Sequence, residues 1–379
     1  MSNSKIVIKV GTGVLTKENG SIAEDRVQEF FSVMSEMRHL GYELVFITSG
    51  AVGLGRQSLN LKPPLSLTEK QASAAVGQVE LMELYRRLGK TNKLEVAQLL
   101  VSAEDFGTRR RFVHLTQTLD YLLKQKVLPV FNENDPISST ELKIDPKSKS
   151  FGDNDKLSAI IATKIKADWL ILLTDVEGVF DKNPNKYKTA RIYKKVENFK
   201  ELKAEVSGGS TGGRGGMNSK LQSTELALKS GTNVVIASGK KEGVLRSIFA
   251  CLLTPELGPG TWFLSRAKKT NSRKTWLQVS SGYKGIIKVN DGAKEALLFK
   301  KASLLAAGVI DVEGQFHQGD VVSVQDANGD ELARGVSYFS SSECRQIMGL
   351  KSSQIKKVLT NTKRDVIIQK DHLMILKDE

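Results

Sequence analysis

Apolar and polar positions along most of the chain switch between two periods. Short runs rich in Val, Ile and Leu fall at 5–10, 43–48, 94–101, 127–131, 169–173 and 233–237. Between them, apolar residues take helical spacing over 22–40, 67–88, 109–124, 156–166 and 217–229. Near-continuous apolar strands separated by amphipathic helices predict an α/β fold, with a mainly parallel sheet sandwiched by helices. Gly41 and Gly89 read as the caps that end two of those helices. After Gly258-Pro259-Gly260 the pattern changes. The runs at 285–289, 321–325 and 332–337 are short, and Asn290-Asp291-Gly292 and Asn328-Gly329-Asp330 carry the composition of hairpin turns. An α/β domain over 1–265, a polar and basic linker over 266–274 and a small β-rich domain over 275–379 are the expected units.

Composition narrows the class. No apolar run reaches the roughly 18 residues of a membrane span, and Met1 to Lys5 runs into the first strand with no apolar signal core, so a cytoplasmic protein is expected. Cys251 and Cys344 are the only cysteines and read as buried small hydrophobes. With no CxxC, HExxH or Cys/His cluster, no protein-held metal site is assigned. The formal net charge of +14 favours anionic partners such as nucleotides, acidic metabolites or nucleic acid, without choosing among them.

Two dense polar loops carry the chemistry. Asn132-Glu133-Asn134-Asp135 follows the strand at 127–131, and Gly152-Asp153-Asn154-Asp155 precedes the helix at 156–166. Strand-end loops of open α/β sheets bind ligands, and carboxylates and carboxamides there suit an ammonium or a hydroxyl. A glycine tract over 207–216 leads into the helix that begins at Met217, as phosphate-handling loops do. Lys220 sits in that helix's first turn, where the helix dipole disfavours a cation unless an anion compensates it. Lys9 stands beside Gly11-Thr12-Gly13, and Thr48-Ser49-Gly50-Ala51 and Thr174-Asp175 end two further strands. Standard nucleotide signatures fail. Gly89-Lys90-Thr91 lacks the first glycine of a P-loop, where Leu84 stands, and Thr16 replaces the third glycine of a dinucleotide fingerprint.

Together these pieces resemble the amino acid kinase family, and within it the glutamate 5-kinase branch. The matching segments are 9–12, 48–51, 132–135, 152–155, 173–180 and 213–220, in family order. The tail resembles a PUA domain, best at 319–322 and 333–336. The resemblance implies phosphoryl transfer from ATP, with Mg²⁺, to the side-chain carboxylate of L-glutamate, the first step of proline synthesis. It assigns catalysis to Lys9, Lys220 and Asp155, with Asp155 orienting the lysines. It assigns ATP to Lys9, Thr174, Asp175, Arg214, Gly215, Gly216, Met217, Asn218, Ser219 and Lys220. Glutamate goes to Ser49, Asp135 and Asn154, with Asp135 against the α-ammonium. A homo-oligomer is expected, and glutamyl phosphate reductase is a candidate partner.

Two departures stand out. The segment 144–150 is longer than in some relatives and would cover the glutamate site, and Arg214 puts a charge in the ATP loop. Alternatives are a sibling kinase acting on aspartate, N-acetylglutamate, carbamate or UMP, or an RNA-binding protein acting through its tail. From Phe263 onward there are 19 Lys/Arg against 13 Asp/Glu, so the basic excess is not concentrated there. The tail also lacks a run of aromatics for stacking on bases.

Overall fold

The structure of the protein is a computed structural model. It describes residues 4–102, 105–106, 109–137, 154–184, 186–199, 202, 216–267, 283–300, 302–359, 362 and 364–376. The chain forms two compact units, one of Met1–Ser102 and Thr116–Lys269, the other of Ala103–Leu115 and Thr270–Glu379.

The first unit is built on strands β1 (Lys5–Val10), β2 (Glu43–Ile47), β3 (Val96–Val101), β4 (Leu128–Glu133), β5 (Trp169–Thr174), β6 (Lys195–Val196), β7 (Asn233–Ser238) and β8 (Thr261–Phe263). They form an 8-stranded sheet in the order β3-β4-β2-β1-β5-β7-β8-β6. Every pairing is parallel except β7 with β8. The central strands are buried on both faces, and this is why they read as unbroken apolar runs. The unit's helices are α1 (Thr12–Leu15), α2 (Glu24–His39), α3 (Ala51–Ser58), α4 (Leu67–Thr91), the part from Thr116 of α5 (Arg109–Lys124), α6 (Asn154–Ile165), α7 (Met217–Lys229) and α8 (Val244–Ala250). Trp262 is fully buried and packs edge-on against Trp169, as a core anchor should. Among the described residues no helix is long and apolar enough to cross a membrane.

Several expectations need correction. Gly89 does not cap α4, which runs through it to Thr91; the glycine is there because a Cβ would strike the Leu94 carbonyl at 2.5 Å. Strand β4 extends through Asn132 and Glu133, so these belong to the sheet edge rather than to a loop. Asn154 and Asp155 form the first turn of α6 instead of preceding it. Cys251 is only half-buried, because it lies beyond the last residue of α8.

The site edge follows from the topology. All six parallel strands β1 to β5 and β7 end on one side, and β1 is paired with β2 and with β5. Beyond β1 the chain moves to β2 on one flank; beyond β5 it moves to β6 and then β7 on the other. A crevice opens where such connections diverge. It lies at Gly11, whose N–H donates to the Leu173 carbonyl at 3.0 Å.

Helix α3 forms one wall of that edge, and two glycines hold it in place. A Cβ on Gly55 would fall on the Ser73 carbonyl, and one on Gly77 on the Ala51 carbonyl. The two helix backbones therefore touch. Helix α4 starts firmly, with Ser66 and Glu69 exchanging side-chain and backbone hydrogen bonds in a capping box.

The second unit has strands β9 (Gly285–Val289), β10 (Val309–Gly314), β11 (Val321–Gln325), β12 (Glu331–Val336) and β13 (Leu373–Ile375) in a 5-stranded mixed sheet, order β10-β9-β11-β12-β13. Asn328-Gly329 does join an antiparallel pair, β11 and β12, with Gly329 at φ +86°. Asn290 does not make a hairpin. Its side chain accepts from the Ala293 N–H and caps helix α9 (Asp291–Leu298). Helices α10 (Ser341–Ile347) and α11 (Ser352–Val358) complete a separate core containing Val322, Leu332 and Ile355. The linker expected over 266–274 falls mainly outside the described residues.

Substituting Gly77→Ala should force α3 away from α4 and lower stability by about 1–3 kcal/mol. Thermal melting of the variant checks this; an unchanged midpoint would refute the close-approach reading.

Candidate active site

Lys9 stands one residue from the end of the central strand β1, in register with Ile47 on one side and Leu172 on the other. A charge in so buried a strand needs a partner. Asp155, in the first turn of α6, supplies it: its Oδ1 lies 2.7 Å from Lys9 Nζ. Its other oxygen, Oδ2, lies 3.1 Å from Nζ of Lys220, in the first turn of α7. The three side chains come from three separate elements. Lys9 is 5% exposed, Lys220 8% and Asp155 0%.

One buried carboxylate thus serves two ammonium groups. Burial works against its charge, but Lys9 and Lys220 together outweigh burial and hold the carboxyl below its ordinary range. The charge count of this cluster is +1, set at the start of α7, whose first turn contains no acidic residue. Such an arrangement is built to receive an anion.

Beside it is a cleft of about 240 Å³ lined by residues that include Thr12, Ser49, Gly50, Asn132, Asp135 and Asn154. Ser49, Asp135 and Asn154, expected to hold one substrate, therefore share one cavity. The Ser49 hydroxyl donates to the Val10 carbonyl at 2.9 Å, tying the loop after β2 to the end of β1. Gly50 takes φ +96°, a left-handed conformation that suits glycine, and opens α3 towards the same cleft. Under the loop, Thr48 bonds the hydroxyl of Tyr85 from α4. Burial pushes that phenol well above its ordinary range, so it remains neutral.

On the other flank, Thr174 is buried at the end of β5 and donates to Asp175 Oδ1 at 3.0 Å. Asp175 is exposed and lies against Gly13. Gly216 precedes α7 in extended conformation, and Met217, Asn218 and Ser219 form its first turn. Arg214, Gly215, Gly152, Asp153 and the segment 144–150 lie outside the described residues.

Thr12, Asn132 and Glu133 also line the cleft, although none was singled out as a contact. Behind it, Gln78 accepts a hydrogen bond from Asn132 Nδ2 at 2.8 Å. Its signal in the sequence was a polar side chain on the face of α4 that carries Ala74, Leu81 and Tyr85 into the core. Among the described residues no group of three or more His, Cys, Asp or Glu side chains could hold a metal ion.

Comparison with known proteins agrees with this layout. Residues 4–238 match the model of the amino acid kinase family, and residues 285–359 match that of the PUA domain. The chain is 39% identical over 376 residues to the glutamate 5-kinase of Caldanaerobacter subterraneus subsp. tengcongensis, covering 98% of each chain. It is 38% identical over 376 residues to that of Thermoanaerobacter sp., again covering 98% of each. To that of Dictyoglomus thermophilum it is 36% identical over 373 residues, covering 98% of this chain and 97% of the relative.

Replacing Asp155→Asn should leave two buried ammonium groups without their counter-charge and cost about 3–5 kcal/mol at neutral pH. The folded-state pKa of Asp155 is depressed, so its contribution is present above the unfolded value of about 3.9 and is lost as pH falls through the folded value. Denaturant titrations of both proteins should show a gap that is constant near neutrality and closes only in strong acid. A gap that vanishes by mildly acidic pH would contradict the assigned charge state.

Proposed function

This chain belongs to the amino acid kinase family and, within it, to the glutamate 5-kinases, and on that premise we propose how its residues carry the reaction. It transfers the terminal phosphoryl group of ATP to the side-chain carboxylate of L-glutamate, giving L-glutamyl 5-phosphate, the first step of proline biosynthesis. The observation that carries the residue assignment is the buried Lys9–Asp155–Lys220 cluster beside the cleft.

The nucleophile is a carboxylate, ionised at neutral pH with a pKa near about 4.3, so no general base is required. The work left to the protein is holding two anions in line and neutralising charge on the phosphoryl group in flight. Lys9 and Lys220 supply that positive charge. Asp155 sets their positions and takes no proton, which fits a carboxyl shared by two ammonium groups. In the cleft, Asp135 pairs with the α-ammonium of glutamate and Asn154 adds a polar contact. Backbone N–H groups at the start of α3, beside Ser49, face the α-carboxylate. Thr174 and Asp175 hold the nucleotide, together with the segment 214–220, where Gly216 to Lys220 open α7.

Mg²⁺ would be held chiefly by the nucleotide, since no carboxylate cluster among the described residues is set up to hold it. The donor set fits this, since Asp155 is committed to two lysines and Mg²⁺ commonly takes phosphate oxygens and water as ligands. When bound, the ion neutralises phosphate charge. We place the kinase domain at 1–265 and the PUA-like domain at 275–379, joined by 266–274. A homo-oligomer remains our expectation. An acyl phosphate is reactive, and rapid consumption by a reductase that accepts it would limit its loss to water.

Lys220→Ala should lower kcat by about 10²–10³-fold, the usual effect of removing one preorganised charge donor. Trapping the product with hydroxylamine in the presence of Mg²⁺-ATP reads this directly as glutamate-dependent hydroxamate with matching ADP. Turnover unchanged in the variant, or wild-type ADP release that needs aspartate or UMP instead, would overturn the assignment.

A further inference from the structure

We propose that Gln78 is a positioning residue for substrate selection: together with the Glu133 N–H it holds Asn132 in the orientation that decides which end of the Asn154 amide is offered to the amino group of the substrate. This rests on the placement of glutamate in the cleft lined by Asn154. Three carboxamides from three elements form a chain. Asn154 Nδ2 donates to Asn132 Oδ1 at 3.2 Å, and Asn132 Nδ2 donates to Gln78 Oε1 at 2.8 Å.

The direction of this chain is set by a group that cannot reverse. The backbone N–H of Glu133 donates to Asn132 Oδ1 at 3.0 Å, and an N–H can only donate. Asn132 must therefore keep its oxygen on that side and its NH₂ towards Gln78. Gln78, buried in α4 at 6% exposure, meets that NH₂ with an acceptor. Asn154 then spends NH₂ on Asn132, and its own oxygen, also buried, has no hydrogen-bond partner among the described residues. What Asn154 has left to offer is a carbonyl oxygen. That atom accepts from an ammonium and repels a carboxylate. With Asp135 on the same cleft, the pair selects a free amine in the α-position over a hydroxyl or an acylated nitrogen.

Removing the acceptor at 78 leaves Asn132 Nδ2 buried without a partner and loosens the side chain that holds Asn154, since only the Glu133 N–H still ties it down. Gln78→Met keeps the length of the side chain and deletes the acceptor. Gln78→Glu keeps an acceptor for Asn132. Kinetics of both are compared with wild type on L-glutamate, on L-2-hydroxyglutarate and on ATP, alongside thermal melting. Expected for Gln78→Met is a rise of about tenfold in KM for glutamate, with kcat and the KM for ATP unchanged. The preference for glutamate over 2-hydroxyglutarate in kcat/KM should narrow, and Gln78→Glu should restore it.

An active wild type with a Gln78→Met variant that keeps its glutamate KM and its preference would overturn the inference alone. So would a parallel rise in both KM values with a lowered melting point and no rescue by Gln78→Glu, the pattern of a packing defect. A wild type inactive on glutamate would overturn this inference together with the substrate assignment it rests on.

Discussion

The fold converges on one electrostatic constraint: a single fully buried carboxylate, Asp155, must satisfy two lysines delivered from distant parts of the chain. Removing ions from water is costly, and a buried cluster is tolerated only where geometry repays the loss. Here the geometry is fixed at three rigid points: the penultimate residue of the central strand and the first turns of two helices. By themselves, two ammonium groups and one carboxylate sum to one net positive charge. That residual charge, sheltered from water, makes the site attractive to phosphate and useful when charge builds up during transfer.

In the proposed reaction the rest of the edge places an acceptor beside this charge. Parallel pairing aligns the strand ends, and the divergence of the chain after β1 and β5 opens the crevice. The backbone contact at Gly55 and Gly77 brings α3 close enough to wall the cleft. Behind the cleft wall, Tyr85 and Gln78, both on α4, hold Thr48 and Asn132 by hydrogen bonds. Packing, capping and the hydrogen bonds behind the cleft are therefore linked through one helix. A change on α4 far from the reacting atoms reaches the site by an identifiable route.

Much of this was legible in the sequence, because the strongest signals are local. Apolar strands such as 169–173 declare a sheet buried on both faces, and Lys9, Ser49, Asp135, Asn154 and Lys220 stand at element ends where ligands bind. The less legible features depend on contacts across space. Gly89 looked like a cap because a glycine near a helix end usually is one; its real cause is the carbonyl of Leu94 pressing against it. Asn290-Asp291-Gly292 has hairpin composition, yet the same asparagine caps a helix equally well. Gln78 is an ordinary polar residue in a long helix until β4 brings Asn132 to it. Nothing local marks that partnership.

In the proposed reaction Asp155 remains an anion that orients two lysines and never acts as a proton acceptor. A titration of the Asp155 side-chain carboxyl by carbon-13 NMR, using aspartate-labelled protein and the Asp155→Asn variant for assignment, tests it most directly. The account expects a carboxyl that stays ionised through the range where ordinary aspartates protonate, with a midpoint below about 3.9. A midpoint raised towards neutrality would contradict it, because the carboxyl would then be poised to take a proton and the two lysines would lack the charge that holds them.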